Sequence, residues 1–210
     1  NLKLIGLRRF EHSPFFTRIF LDFEDRRPRE GNSLATRIDE TETIARAEYG
    51  WKAGKADWQF SLEGAINKLD TDAELKLLDT SGQFNPVPLP GSDATVEEKR
   101  AEVGLSYGRP LASNLTLQTS IGGEYSQIMQ SGPNGLTRSF IRPKGFVSLA
   151  WKPVKSLDLS LRLQRDVGQL NFQDFATSVN LGDDRTESGN PELEPEQAWK
   201  SSLQWERRFG

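Results

Sequence analysis

Apolar and polar residues alternate one by one along most of this chain of 210 residues. In the stretch 157–164, leucine occupies every odd position and a polar residue every even one. The same period of two recurs in the stretches 45–51, 58–66, 101–107, 115–123, 147–151 and 199–209. Successive side chains of a β-strand point to opposite faces, so this pattern is typical of strands with one apolar and one polar face. The sequence therefore predicts an all-β chain.

The predicted strands are long for a soluble domain. They number about nine, including the strand-like segments 1–10 and 15–23, and most are near ten residues. Strands in soluble domains are commonly about five or six residues long, whereas crossing a bilayer at a tilt takes about 9–11. Asp72 to Leu78 is predicted as a short helical turn within a loop. We therefore predict an antiparallel up-and-down meander of about nine strands, part of an outer-membrane β-barrel.

The connections between the predicted strands alternate between short and long. Short turns are predicted around Glu11–Pro14, Ala53–Ala56, Arg109–Ser113 and Lys152–Ser156, and between them lie the longer connections 25–41, 68–96, 128–140 and 168–196. An outer-membrane barrel has short periplasmic turns and long external loops. A β-sandwich joins its strands by Greek-key connections, which do not sort loops by length to the two ends. The loop pattern thus favours the barrel.

Aromatic residues cluster next to the short turns. An amphipathic ring is stable at the headgroup level of a bilayer, so we expect these residues to form an interfacial girdle. In the alternative, a soluble sandwich, they would be core residues. The predicted girdle consists of Tyr49, Trp51, Trp58, Tyr107, Trp151, Trp205 and Phe209.

The polar strand faces carry both signs of charge. If the apolar faces meet lipid, the polar faces line a water-filled lumen. The candidates for that lumen are Arg46, Glu48, Glu63, Arg100, Glu102, Arg162 and Lys200.

Composition and motifs exclude several other functions. The net charge of −3 is too small to indicate a nucleic-acid partner, and without cysteine the chain has no disulfide or thiolate metal site. The sequence contains no run of about 18 apolar residues, so no membrane-spanning helix is predicted. The first ten residues lack the apolar core of a signal peptide.

No catalytic or metal site is predicted either. The single histidine, His12, lies in a predicted turn, and nothing in the sequence brings both a nucleophile and an orienting carboxylate to it. Asp79–Gly82 differs from the D-T-G of aspartic proteases by the inserted Ser81. The carboxylate pairs 70–72 and 183–184 lack the spacing of a calcium loop. We therefore predict no enzyme activity and no cofactor.

One acidic motif carries a resemblance to a known family. Residues 189–196 read GNPELEPE and directly precede the last alternating stretch. This octapeptide resembles the G-N-P-x-L-x-P-E element of the barrels of TonB-dependent outer-membrane receptors, where it leads from an external loop into a descending strand. The positions that carry the match are Gly189, Asn190, Pro191, Leu193, Pro195 and Glu196. The stretch 146–175 is similar to the same family, and the resemblance is strongest over residues 100–210.

The resemblance implies a location, partners and a function. The location is the bacterial outer membrane, and the function is import of a scarce nutrient, either a chelated metal or a carbohydrate. The partners are outer-membrane lipid, a small-molecule ligand, and a TonB-type energising protein that acts through a plug region. Barrels of this family have 22 strands and no plug domain is recognised here, so residues 1–210 are predicted to be a single barrel segment of a larger receptor, not expected to transport alone.

Two other classes of protein fit the alternation. A soluble β-sandwich or small closed β-barrel could serve as a binding module, with the same apolar faces turned inward. An outer-membrane enzyme is the third possibility. Fractionation with membranes separates the first alternative from a receptor, and loss of a hydrolase activity on His12→Ala would indicate the enzyme.

Overall fold

The structure, a computed structural model, describes residues 1–25, 27–131, 135–175, 178–181, 185–187, 189–190 and 192–209. Eleven strands and one 3-10 helix, Phe172–Phe175, lie within these residues. The strands are β1 (Leu2–Leu21), β2 (Glu30–Ala53), β3 (Ala56–Leu78), β4 (Phe84–Val87), β5 (Ala94–Ala112), β6 (Leu115–Gln130), β7 (Thr137–Val154), β8 (Leu157–Val167), β9 (Ser178–Asn180), β10 (Arg185–Glu187) and β11 (Gln197–Arg207).

The long strands form one antiparallel sheet in chain order. The order is β1-β2-β3-β5-β6-β7-β8-β11, with the short β4 paired to β3, so the sheet has nine strands. Strands β9 and β10 pair separately within the connection from β8 to β11. This topology confirms the predicted antiparallel meander, because each long strand pairs with the next long strand along the chain.

Loop length differs between the two ends of the sheet. At one end β2–β3, β5–β6 and β7–β8 are joined by turns at 54–55, 113–114 and 155–156, the first with Gly54 at φ 61°. A positive φ in a two-residue hairpin is favoured by glycine. At the other end lie the connections 22–29, 79–93, 131–136 and 168–196. We call these two ends the turn end and the loop end.

One predicted turn and one predicted helical turn are wrong. Glu11–Pro14 lies inside β1, where Pro14 pairs with Arg37, so β1 is one strand of 20 residues. Proline fits an extended edge strand because its missing N–H can face away from the partner strand. Asp72 to Leu78 belongs to β3 and extends it to 23 residues. The predicted loops 25–41 and 68–96 are therefore largely strand.

The buried core lies at the loop end and on one face only. Leu69, Val96, Ile128 and Phe175 form this core cluster. The apolar face along the rest of the sheet is open, and Ile141 is 81% exposed there. In the part of the chain that the structure describes, no helix is both long and apolar enough to cross a membrane.

Candidate functional site

One face of the sheet carries the buried charged side chains of the described residues. Register places Arg46 opposite Glu63, Glu63 opposite Glu102, and Glu102 opposite Glu124. Residues that oppose each other across paired strands share a face. By the same register every predicted lumen candidate lies on this side, which we call the charged face. That the charged face lines a water-filled lumen stays a prediction.

The charged face is crossed by ion pairs on its β1–β5 side. Glu63 accepts from Arg46 at 3.4 Å and from Arg100 at 3.1 Å. Arg46 also lies 2.7 Å from a carboxylate oxygen of Glu48, which in turn lies 3.8 Å from Lys3 of β1. Each carboxylate therefore has a cation on a neighbouring strand, so these charges bind the strands to one another.

A second network spans β5, β6 and β7. Arg142 is 2% exposed and donates to Glu124 and, at 2.7 Å, to the Ser126 hydroxyl. Lys144 donates to Glu102 and, at 3.0 Å, to the second oxygen of Glu124. A charge buried this deeply is stable only when it is paired and hydrogen-bonded.

Sequence reasoning missed Glu124, Arg142 and Lys144. Strand alternation could have identified Arg142 and Lys144 as residues of the charged face. Both occupy even positions of β7, as does the polar Ser148. The other two candidates, Arg162 and Lys200, make separate contacts. The Arg162 guanidinium lies 3.6 Å from the Phe146 ring centroid, and Lys200 donates to Asp166 at 2.7 Å.

The polarity of the two faces inverts part-way along β3. Even positions are apolar from Trp58 to Ile66, and from 68 to 76 they become Lys68, Asp70, Asp72, Glu74 and Lys76. The opposite face changes in the other sense, because polar residues such as Glu63 give way to Leu69, Leu75 and Leu77. A strand that has one solvent along one face and one core along the other keeps the same polarity on each face along its length. The inversion therefore indicates that the surroundings of β3 change near residue 67.

Neighbouring strands invert at the same level. Register aligns Leu69 with Val96, and Glu98 with Ile128. On the charged face β5 changes from Glu98 to Val96, and β6 from Ser126 to Ile128. On the opposite face the apolar residues end where polar residues begin, at Lys99, Gln127 and Ser139. An apolar band thus covers one face from the turn end to this level, and we call it the apolar band.

Aromatic rings edge the apolar band at the turn end. The Tyr49 and Trp51 rings stack at 5.7 Å, Trp51 and Trp58 at 6.0 Å, and Trp58 meets Tyr107 edge-on at 4.7 Å. Trp151 and Trp205 both lie opposite Leu159. Phe209 follows β11 and is exposed. Their assignment to a membrane interface stays a prediction.

The acidic motif docks on the charged face at the loop end. The Asn190 side chain accepts from the Glu192 amide at 2.9 Å, and Leu193 packs against the core cluster. Pro195 is buried, and the Glu196 carbonyl accepts from the Gly168 amide at 2.8 Å just before β11 begins. Gly189 is half-buried, and Pro191 lies outside the described residues.

A cavity of about 230 Å³ lies between residues 169–172 of the same connection and the charged face. Three carboxylates line it, from Glu40, Glu42 and Glu98, together with the Asn67 amide and the Phe172 ring. Two cations, Arg9 and Lys68, also line it, and each is paired with a carboxylate outside the lining, Glu11 and Asp70 respectively. The Asn67 oxygen is buried and accepts no hydrogen bond, whereas its nitrogen donates to Glu98 at 3.2 Å. The lining is therefore rich in acceptors and suits a group that donates hydrogen bonds.

No catalytic arrangement forms around His12. It pairs with Asp39 across β1 and β2, on the face opposite the charged face, and the neighbouring Ser13 hydroxyl donates to Glu11. Among the described residues no cluster of three or more potential metal ligands occurs. The carboxylate pair 183–184 lies outside those residues.

Asp79 begins a turn rather than an active site. Its carboxylate accepts from the Ser81 hydroxyl, the Gln83 amide, the Asn85 side chain and the Ser81 amide. These hydrogen bonds, that of the Ser81 hydroxyl foremost, lower the pKa of Asp79 to about 2.

Comparison with known proteins identifies the architecture. No protein-family model and no curated protein matches the sequence. Solved structures do. The copper transporter OprC aligns with a TM-score of 0.62 at 12% identity, over 100% of this chain and 36% of its own.

Two further structures align with the chain over nearly its whole length. For the unliganded ferric citrate transporter FecA the TM-score is 0.52 at 14% identity, over 96% of this chain and 31% of that one. For the alcaligin outer-membrane receptor FauA from Bordetella pertussis the TM-score is 0.50 at 10% identity, over 95% of this chain and 34% of that one. The chain has the fold of a segment of these outer-membrane barrels. It spans about a third of the length of these solved chains. The predicted fold class and, at the level of fold, the resemblance to TonB-dependent receptor barrels are confirmed.

Proposed function

We propose that residues 1–210 form part of the barrel wall of a bacterial outer-membrane receptor that imports a scarce nutrient. The observation that carries this proposal is the polarity inversion in β3, β5 and β6. On the turn-end side of the inversion, the apolar band has the length needed to cross a bilayer, because the stretch 58–66 matches the roughly 9–11 residues of a membrane strand. On the loop-end side, the face that continues the apolar band is polar and the opposite face is apolar, as in a protein domain in water. Lipid against the apolar band and water against the same face beyond the inversion account for both parts of the pattern.

The charged face is then the wall of the water-filled lumen. Its paired charges keep it wetted without a strong net field, because each carboxylate of the two networks lies beside a lysine or an arginine. The cavity near Glu42 and Asn67 is a candidate ligand pocket within this lumen. Its acceptor-rich lining favours a ligand with hydroxyl or ammonium donors, so a carbohydrate or a hydroxylated metal chelate fits better than a polyanion.

The likeness to known transporters supports this function in outline. The matched structures are named as transporters of ferric citrate and copper and as a receptor for alcaligin. We infer that residues 1–210 are a single barrel segment without a plug domain, and that the energising TonB-type partner acts on a plug region outside it. The role is transport, with no enzymatic step.

Cell fractionation and surface labelling of the full-length protein test the proposal. We expect the protein to sediment with outer membranes. The 210 residues contain no cysteine, so single cysteines introduced there are labelled specifically once any cysteine elsewhere in the full-length protein is replaced. In intact cells a membrane-impermeant maleimide should label Ser81→Cys at the loop end and should not label Lys55→Cys at the turn end. Lysis should make Lys55→Cys reactive.

The opposite results would refute the receptor. Recovery of native protein in the soluble fraction would contradict an outer-membrane location and support a soluble β-sandwich or small closed β-barrel binding module. Labelling of Lys55→Cys but not Ser81→Cys in intact cells would show that the turn end faces outward.

A further inference from the structure

Two parts of the long connection from β8 to β11 lie against the sheet. They are residues 168–175 and 192–196, and we call them the loop arms. Phe175 at the end of the first arm is 3% exposed and packs on Leu69, Val96 and Ile128. Leu193 of the second arm packs on the same cluster. The arms thus cover the apolar patch that the inversion creates on the charged face.

Arg138 of β7 fastens the second arm. Its guanidinium donates to the backbone carbonyls of Glu192 and Leu193 and to the carboxylate of Glu194. The guanidinium also lies 5.2 Å from the Phe140 ring centroid. A planar group with several fixed donors holds a backbone segment in one orientation, which a flexible ammonium does less well.

Further hydrogen bonds hold the first arm and join the two arms. Gln130 of β6 donates from its side chain to the Phe175 carbonyl at 2.8 Å, and Gln173 reaches Glu40 of β2 at 3.4 Å. The amide of Gly168 donates to Glu196 at 2.8 Å. Contacts therefore run from the arms to β2, β6 and β7, which makes separation from the sheet a concerted event.

One other connection and one turn at the loop end are held by local contacts. In 22–29, Arg29 donates to Asp22 at 2.6 and 2.9 Å, and Arg27 pairs with Asp25. In the turn 79–83, the Asp79 carboxylate accepts from the Ser81 hydroxyl and the Gln83 amide, whereas residues 84–87 of the same connection pair with β3 as β4. Segments with exposed, local contacts open at lower free energy than segments docked on a core.

We propose that the loop arms are a fixed roof over the loop end of the charged face, and that the ligand passes beside this roof without displacing it. The roof forms one side of the cavity, through Gln169, Leu170, Asn171 and Phe172. Movements that admit the ligand then fall to the connection 22–29 and the turn 79–83. This inference rests on the proposed receptor function, since it assigns a role to one loop of that receptor.

Cysteine reactivity in the full-length protein tests whether the roof opens. Val96 lies beneath the arms and is fully buried, and Val96→Cys is a conservative change in volume. Glu192→Cys reports an exposed position on the roof itself and keeps the carbonyl that Arg138 binds. We expect maleimide to modify Val96→Cys at least about 30-fold more slowly than Glu192→Cys, because modification requires local opening.

Substitution of Arg138, which holds the second arm, supplies the second measurement. Arg138→Met should raise the modification rate of Val96→Cys about tenfold or more, because it deletes three hydrogen bonds to the second arm. Arg165→Met is the matched control, since Arg165 lies on the opposite face and donates to Gln197, and it should leave the rate unchanged. Hydrogen exchange at the Gly168 amide should be slow in the parent protein and faster in Arg138→Met.

Each result decides between the alternatives. Equal modification rates for Val96→Cys and Glu192→Cys, or fast exchange at the Gly168 amide of the parent protein, would overturn the fixed roof. If Glu192→Cys reacts only after cell lysis, the receptor proposal fails instead. The ratio of the two rates in detergent-solubilised protein then still tests the roof alone.

Discussion

At the scale of single residues, the charged face depends on pairing its buried charges. Arg142 is the most deeply buried of its cations and holds both Glu124 and Ser126. Replacing one partner of a buried pair leaves the other charge uncompensated. We expect Arg142→Met to lower the free energy of unfolding in lipid vesicles by about 3–5 kcal/mol. Arg27→Met, which removes an exposed loop pair with Asp25, should cost at most about 1 kcal/mol. Equal losses for the two variants would contradict the buried network.

The turn at Asp79 gives a prediction about pH. The pKa of Asp79 falls from its ordinary value of 3.8 to about 2, first because of the Ser81 hydroxyl. A carboxyl whose pKa is lowered by folding contributes stability above its unfolded pKa, and that stability disappears as the pH falls towards the folded value. We expect the Gln83 amide to stay protected from exchange at pH 4 and to lose protection near pH 2. In Asp79→Asn the protection should not change between these pH values. Loss of protection centred at pH 3.8 in the parent would show that the carboxylate is not held by the turn.

At the scale of the elements, alternation determined which strands form but not where they end. The stretches 30–41 and 68–78 fall within predicted loops, yet they continue β2 and β3. The period of two persists through both stretches while the polarity of the faces changes. A pattern that inverts therefore marks a change of surroundings, and strand pairing continues through it.

The inversion predicts opposite tolerances on the same side of the sheet. Leu161 lies within the apolar band, and Asp72 lies beyond it on the same face. Leu161→Arg should cost about 2–4 kcal/mol in a bilayer if it is near the midplane. Asp72→Arg should cost less than about 1 kcal/mol, because the substituted side chain remains in water and only faces the like charge of Arg37. Vesicle unfolding measurements compare the two, and a neutral Leu161→Arg would argue against lipid contact.

Close strand approach between β5 and β6 requires one glycine. A Cβ added at Gly122 would lie 2.5 Å from the Val103 carbonyl oxygen and 3.2 Å from the Gly104 Cα, whereas one at Gly64 meets nothing within 4 Å. Since the neighbours of Gly122 are backbone atoms, the strands would have to separate. We expect Gly122→Ala to destabilise the sheet by about 1–3 kcal/mol and Gly64→Ala to be nearly neutral in the same unfolding assay. The reverse order would refute the close approach.

At the scale of the whole molecule, the sequence predicted what depends on periodicity. The common face of residues such as Arg46, Glu63 and Lys200 follows from strand parity. The meander and the sorting of short turns and long loops follow from the spacing between the alternating stretches. The roof could not be predicted in this way. Phe175 and Leu193 reach Leu69 and Val96 across more than one strand, and alternation within a strand carries no information about such packing.

The central claim is that the apolar band contacts lipid and that the face beyond it contacts water. Single spin-labelled cysteines along β3, at even positions from 58 to 76 of the full-length protein in bilayers, test it most directly. We predict high accessibility to oxygen and low accessibility to a water-soluble nickel chelate at positions 58–66, with the order reversed at positions 68–76. Uniform accessibility to the nickel chelate along the whole of β3 would contradict the membrane assignment.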